Sequence, residues 1–211
     1  MTRTAIQDSA ELYRSPKYLT KLRVMSFGHQ LEACLETGCR TFLEVGIGSG
    51  LLVELLKRMG MTCLSVDPDR GTKPDIVGAL PNLPLTTRWF EAVACFEVLE
   101  HLPLSLLKPS LEELQRLSSR FVLISLPDQR TYCQVGIHTP LFCFNGITGW
   151  PLRSRRRGRP ISPSHHWEIG LDGVRTADII CVARTAGLRC LRHHRCFENP
   201  YWHFFTFRTV L

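Results

Sequence analysis

The sequence predicts an α/β fold: a seven-stranded, mostly parallel, doubly wound sheet with helices on both faces and an antiparallel last strand. Three observations carry this. Short apolar runs stopped by Gly, Pro or Asp alternate with segments of helical spacing through residues 17–127, the rhythm of right-handed βαβ units. A glycine-rich turn links the first apolar run to the helix after it. Near the C-terminus two strand-like runs follow each other with only a short turn between them, which adds a terminal hairpin to the sheet.

The elements follow in order. Residues 17–37 have helical spacing and stop at Gly38. Thr41-Phe42-Leu43-Glu44-Val45 is the first strand. In residues 49–59, Leu51, Leu52, Leu55, Leu56 and Met59 share one helical face, and Gly60 ends the helix. Residues 62–66 make the second strand, closed by Asp67-Pro68; Asp75-Ile76-Val77 makes the third and residues 89–96 contain the fourth. Residues 103–117 read as a helix and 120–126 as the fifth strand, halted by Pro127. Residues 128–165 are rich in Pro, Gly, Arg and aromatic side chains and show no clear period; they are expected to form an insertion or lid. Residues 174–186 form the last helix, and 188–197 and 201–210 the closing strands, joined through Glu198-Asn199-Pro200.

The 211 residues suit one domain over residues 1–211, with 44% hydrophobic and 21% charged residues. No apolar stretch is long enough for a transmembrane helix, and the N-terminal Met1-Thr2-Arg3-Thr4, with Asp8 and Glu11, lacks a signal-peptide core. A cytoplasmic protein without a membrane partner is expected. Net charge is +7, and Arg153, Arg155, Arg156, Arg157 and Arg159 supply much of it; the run reads as a solvated basic loop or as a phosphate, nucleic-acid or acidic-glycan contact. The nine cysteines form no CxxC pair, so neither a disulfide scaffold nor a zinc knuckle is expected; Cys63, Cys95 and Cys181 read as small core residues.

Glu44-Val45-Gly46-Ile47-Gly48-Ser49-Gly50 lies between the first strand and the first helix of the alternating part, and Asp67 ends the next strand. Such a turn brings backbone close to a ligand at a helix N-terminus, and an acid about 20 residues on can bind ribose hydroxyls. Leu51 holds the third glycine position of a dinucleotide fingerprint, and Glu44 would repel a pyrophosphate while suiting an ammonium group. The pattern resembles the class I S-adenosylmethionine-dependent methyltransferases, which have a Rossmann-like fold. The resemblance covers roughly residues 38–127 and implies that Glu44, Gly46, Gly48 and Gly50 cradle the methionine part and that Asp67 and Pro68 hold the ribose. It further places Ala79 and Leu80 beside the adenine and Phe96 and Glu97 along the pocket. Relatives often carry an acid after the third strand; Gly78-Ala79-Leu80 departs from that, so the adenine contact is expected to be backbone and apolar only.

The fourth strand runs into Glu97-Val98-Leu99-Glu100-His101-Leu102, and Ser164-His165-His166-Trp167-Glu168 precedes the last helix. Carboxylates and imidazoles brought to one crevice suit a divalent metal ion. The E-x-x-E-H spacing, with a downstream His ahead of an aromatic, resembles two methyltransferase groups: the small-RNA 3′-terminal 2′-O-methyltransferases and the ubiquinone-pathway O-methyltransferases. Both resemblances imply one ion, Mg, Mn, Fe or Zn, held by Glu97, Glu100, His101 and His165. Without a metal, His101, His165 or His166 would serve as general base. The segments L-L-V-E-L-L-K, P-D-I-V-G, F-E-V-L-E-H-L-P, H-W-E-I-G and F-E-N-P-Y also resemble small bacterial and archaeal methyltransferases almost end to end.

The expected activity is therefore methyl transfer from S-adenosylmethionine to a hydroxyl of a small molecule or sugar with vicinal hydroxyls, assisted by a divalent metal. The alternatives are an RNA 3′-terminal 2′-O-methyltransferase, a metal-independent small-molecule methyltransferase with a His base, and a non-catalytic cofactor-binding protein. Phe142, Phe144, Trp150, Trp167 and Trp202 fit either core and lid packing or a substrate-pocket wall.

Overall fold

The computed structural model describes residues 10–149 and 160–210. In chain order the elements are α1 (Ala10–Arg14), α2 (Lys21–Glu36), β1 (Thr41–Val45), α3 (Leu51–Arg58), β2 (Thr62–Asp67), β3 (Ile76–Val77), β4 (Phe90–Phe96), α4 (Leu107–Leu117) and β5 (Ser118–Pro127). There follow β6 (Tyr132–His138), β7 (Cys143–Gly149), α5 (Thr176–Thr185), β8 (Leu188–Arg195) and β9 (Trp202–Thr209). Seven strands make one sheet in the order β3-β2-β1-β4-β5-β9-β8. Neighbours from β3 to β5 are parallel, while β9 runs antiparallel to both β5 and β8, so the fold class and the antiparallel last strand are as the sequence predicts.

Alternation along the strands sorts the core into two layers. Phe42, Ala92, Ala94, Leu123 and Phe204 face α2 and α3, where Cys34, Leu52 and Leu56 meet them. Leu43, Val93, Cys95, Ile124 and Phe205 face α4 and α5, where Leu107, Leu111, Leu114 and Ile179 complete the layer. Thr20 caps α2 by accepting the Arg23 N–H at 3.2 Å, and Gly50 begins α3 in the left-handed conformation. The chain crosses in opposite directions from β1 and from β4. The crevice beyond their carboxyl ends is therefore the switch point at which open α/β sheets bind ligands.

Two expectations need correcting. Residues 128–165 are not without regular structure: β6 and β7 pair antiparallel from Tyr132–Gly149 to His138–Cys143. Gly136, Gly146 and Pro140 mask an underlying alternation in which Val135 and Ile137 share a face. Cys181 is exposed, because α5 turns Ile179 and Ala183 inward and leaves it outside; Cys63 and Cys95 are buried as expected, and all nine cysteines are free. The short α1 has no counterpart among the expected elements. Among the described residues no helix is long and apolar enough to cross a membrane. Trp150, the arginines of 153–159 and the N-terminal stretch through Asp8 lie outside the described residues.

Candidate active site

A cavity of about 320 Å³ opens at the switch point, lined by the ends of β1, β2 and β4 and the turns that follow them. Gly46 adopts φ +85° and Gly48 φ +51°, conformations that glycine takes without strain. At Gly46 closeness matters as well: a Cβ there would lie 2.3 Å from Cγ2 of Val98, which lines the same cavity. Under the loop sits Glu44, with its Oε2 buried and unpaired; burial, opposed by the Val53 N–H and reinforced by the charge of Asp67, pushes its carboxyl up to about 8. Asp67 faces the cavity from the end of β2 and accepts the Asp69 N–H at 2.8 Å. Burial raises its pKa against the opposing backbone N–H groups of Asp69, Gly48 and Ile47.

At the end of β4, Glu97 takes a left-handed backbone, φ 55°, uncommon for a residue with a side chain. Its Oε1 accepts the Ser125 hydroxyl from β5 at 2.8 Å. Glu100 is fully buried, and neither of its carboxylate oxygens has a hydrogen-bond partner. Burial, with the charges of Glu97 and Glu168 nearby, drives its carboxyl well above the usual range. The rings of His101 and His165 meet edge to face, 4.8 Å between centroids. Glu100, His101 and His165 each present one ligand atom such that all three lie within 4.8 Å of one another.

Neighbouring acceptors hold the imidazoles in place. His165 Nδ1 lies 2.7 Å from Glu168 Oε1, which turns Nε2 to the other side. Glu168 also accepts from Gln129 Nε2 at 2.5 Å, the Ile161 N–H at 3.1 Å and the Tyr201 hydroxyl at 3.0 Å. Burial alone would raise Glu168, but the bonds from His165, Gln129 and Tyr201 outweigh it and keep its pKa below the ordinary value. His101 Nδ1 faces the Ser164 carbonyl at 3.3 Å, and Trp167 Nε1 donates to the Leu102 carbonyl at 3.0 Å, tying the two segments together.

A family model described as a methyltransferase domain matches residues 43–120, the span holding the glycine turn, Asp67 and the Glu97–His101 cluster. Over that span the chain is similar to S-adenosylmethionine-dependent methyltransferases of class I. Solved methyltransferases share the fold. Magnesium protoporphyrin IX methyltransferase of Synechocystis PCC 6803 with bound SAH matches at TM-score 0.63 and 12% identity, over 95% of this chain and 92% of that one. An S-adenosylmethionine-dependent methyltransferase of Clostridium acetobutylicum ATCC 824 matches at 0.61 and 11%, over 96% and 98%. Another, of Aquifex aeolicus, matches at 0.58 and 16%, over 97% and 100%. No curated protein matches the chain in sequence.

Of the residues expected at the site, Gly46, Gly48, Asp67, Pro68, Ala79, Leu80, Phe96, Glu97 and His101 all line the cavity. Glu44 and Gly50 do not: Glu44 lies beneath the loop, and Gly50 shapes its exit into α3. Of the four residues expected around a metal, three converge, while Glu97 is engaged by Ser125 and stands outside the cluster. His166 is exposed, and it is its backbone N–H that reaches inward, to the Glu100 carbonyl at 2.8 Å. Trp167 and Trp202 are core residues, whereas Phe142 and Phe144 are exposed on the hairpin. Sequence reasoning missed Tyr13, Val98 and Ser164 on the cavity wall and the Gln129–Glu168–Tyr201 support behind His165, all of which depend on contacts distant in sequence.

Proposed function

We propose that the protein transfers the methyl group of S-adenosylmethionine to a hydroxyl of a small molecule or sugar with neighbouring hydroxyls, beside one divalent metal ion held by Glu100, His101 and His165. The observation that carries the metal reading is Glu100: a buried carboxylate with both oxygens unpartnered costs several kcal/mol in roughly that state, and a cation between it and two imidazoles removes the cost. Hard carboxylate oxygen with imidazole nitrogen fits magnesium, manganese, iron or zinc. When bound, the ion would lower the acceptor hydroxyl's pKa and orient it.

The chain's own residues do the rest. The turn from Gly46 to Gly50 receives the methionine end of the cofactor, with Glu44 below it as the complement to the ammonium group. Asp67 takes the ribose hydroxyls as a charge-assisted acceptor. Ala79 and Leu80 flank the adenine through backbone and apolar contact. Glu168 fixes the tautomer and direction of His165, and the Ser164 carbonyl does the same for His101. Transfer is an in-line displacement, so much of the rate comes from holding acceptor oxygen and methyl group in register.

A second reading needs no metal: burial alone favours a protonated, neutral Glu100, and His101 or His165 then takes the acceptor proton. Turnover of labelled S-adenosylmethionine with catechols and sugars, measured with and without chelator, separates the two. The first reading expects activity to vanish on chelation and to return with a divalent ion, with metal found in the purified protein. Full turnover in metal-free protein overturns it in favour of the histidine base.

A further inference from the structure

Arg23 stands in the first turn of α2, where the helix dipole disfavours a cation. Aromatic faces hold its guanidinium there: Cζ lies 4.9 Å from the Tyr18 ring centroid and 5.8 Å from that of Trp202. Both rings belong to the rim of the crevice. The Tyr18 hydroxyl is 3.9 Å from where a Cβ on Gly48 would be, and Trp202 pairs in register with Pro127 at the carboxyl end of β5. Among the described residues the guanidinium makes no hydrogen bond and no ion pair; the Arg23 bond to Thr20 is made by its backbone N–H. Stacking on rings leaves its in-plane N–H donors unused. Its charge favours the ionised forms of Glu97 and Glu100, whereas Glu44 beneath the glycine turn feels the charge of Asp67 instead. The walls of the switch-point cavity include Glu97 and not Arg23.

We propose that Arg23 receives a carboxylate of the methyl acceptor, so that the substrate is a small acid carrying hydroxyls and a carboxylate on one frame. The inference rests on the reading in which Glu100, His101 and His165 mark the acceptor end. A planar fork of donors matches a carboxylate through two parallel N–H···O bonds, and the Tyr18 and Trp202 rings pre-set the plane of that fork. A cation here also offsets the repulsion that an anionic acceptor would meet from Glu97 and Glu100. A phosphate monoester would bring up to two charges against the same carboxylates, with this guanidinium to answer them. The methionine carboxylate of the cofactor is a second source of the same chemistry. The place of Arg23 outside the cavity wall, and its action on Glu97 and Glu100, favour the acceptor.

The test is calorimetry on the full-length protein saturated with S-adenosylhomocysteine, with magnesium in the buffer. The probes are 3,4-dihydroxybenzoate and its methyl ester, which share the vicinal hydroxyls and differ in charge. The wild type should bind the acid at least about tenfold more tightly than the ester. Arg23→Gln should weaken binding of the acid by about 10–100-fold and bring the two probes level, while affinity for S-adenosylhomocysteine stays within about twofold. Arg23→Lys, which keeps the charge and loses the fork, should fall between them. Equal binding of the two probes, binding of neither, or a preference for the acid that survives Arg23→Gln overturns the proposal. A comparable loss of S-adenosylhomocysteine affinity in Arg23→Gln also overturns it and assigns the residue to the cofactor. Arginine-dependent binding of the acid without methyl transfer to any diol sustains the carboxylate site and overturns the reading of hydroxyl transfer.

Discussion

Gly46→Ala tests how tightly the glycine turn is built against the cavity wall. The backbone there is left-handed, at φ +85°. An L-residue in that region costs roughly 1–2 kcal/mol. The added methyl would also sit 2.3 Å from Val98 Cγ2, so Val98 must rotate or the loop must shift. Overpacking of this kind costs roughly 1–3 kcal/mol. The sum, about 2–5 kcal/mol, is a large share of a domain stability of roughly 5–15 kcal/mol. Only the second part depends on Val98. In Gly46→Ala/Val98→Ala the clash is gone and the backbone cost stays, so the double variant should be more stable than the two single changes predict, by about 1–3 kcal/mol of coupling. Urea unfolding of the four proteins measures this, and calorimetry with S-adenosylhomocysteine follows binding in parallel. Additivity within about 0.5 kcal/mol would refute the contact as the origin of the glycine requirement.

Glu168→Gln should reduce turnover by about 10–100-fold through a misdirected His165, while affinity for S-adenosylhomocysteine stays within about twofold; unchanged turnover would leave Glu168 a packing residue. Gly48→Val should abolish cofactor binding by calorimetry, since Gly48 lines the cavity at φ +51°; normal affinity would move the cofactor elsewhere. Glu44, raised to about 8 by burial, is protonated in the free protein at neutral pH, so placing an ammonium group beside it should release a proton. The binding heat of S-adenosylhomocysteine should then differ between phosphate and Tris in the wild type and not in Glu44→Gln; equal heats in both buffers would contradict this contact. Asp128 is buried, and bonds from His203 and Arg130 with the charge of Arg195 outweigh that burial to hold it at about 2. A depressed acid stabilises the fold above its unfolded pKa, so about 2 kcal/mol should be lost as pH falls from about 4 to 2. His203, lowered mainly by its burial, adds a second loss with the same sign below about pH 6.5. Asp128→Asn should flatten the acid limb of the stability–pH curve, and an unchanged limb would assign it to other groups.

The first strands were legible because they are apolar runs with a chemical stop: Gly46 after β1, Asp67-Pro68 after β2, Pro127 ending β5. The helices were legible because Leu52 and Leu56, or Leu107, Leu111 and Leu114, recur at helical spacing. Where local signals compete, reading along the chain failed. Glycines hid the alternation of β6 and β7, and an apolar neighbourhood made Cys181 look buried when the helix phase turns it outward. At the candidate site, spacing grouped Glu97 with Glu100 and His101. A left-handed backbone and a hydroxyl on the neighbouring β5 set Glu97 apart, and neither leaves a mark in the local sequence. Glu168 stood in plain view three residues after His165; its role depends on Gln129 and Tyr201, which arrive from distant segments.

The placement of charge ties the two halves of the site together. Glu44 lies beneath the glycine turn and Glu100 beside His101 and His165, and burial holds both away from their ionised forms. Carboxylates kept in such places cost stability unless a cation completes them. S-adenosylmethionine brings positive charge on its ammonium and sulfonium groups, and a divalent ion would bring it to Glu100. Asp128 and Glu168 contrast with them: they are also buried, yet already saturated by arginine, histidine, glutamine or tyrosine donors, and both titrate below their ordinary values. The same residue type therefore serves two purposes in one fold. Fully paired carboxylates brace the scaffold behind the site, and Glu44 and Glu100 keep buried oxygens without a partner beside it.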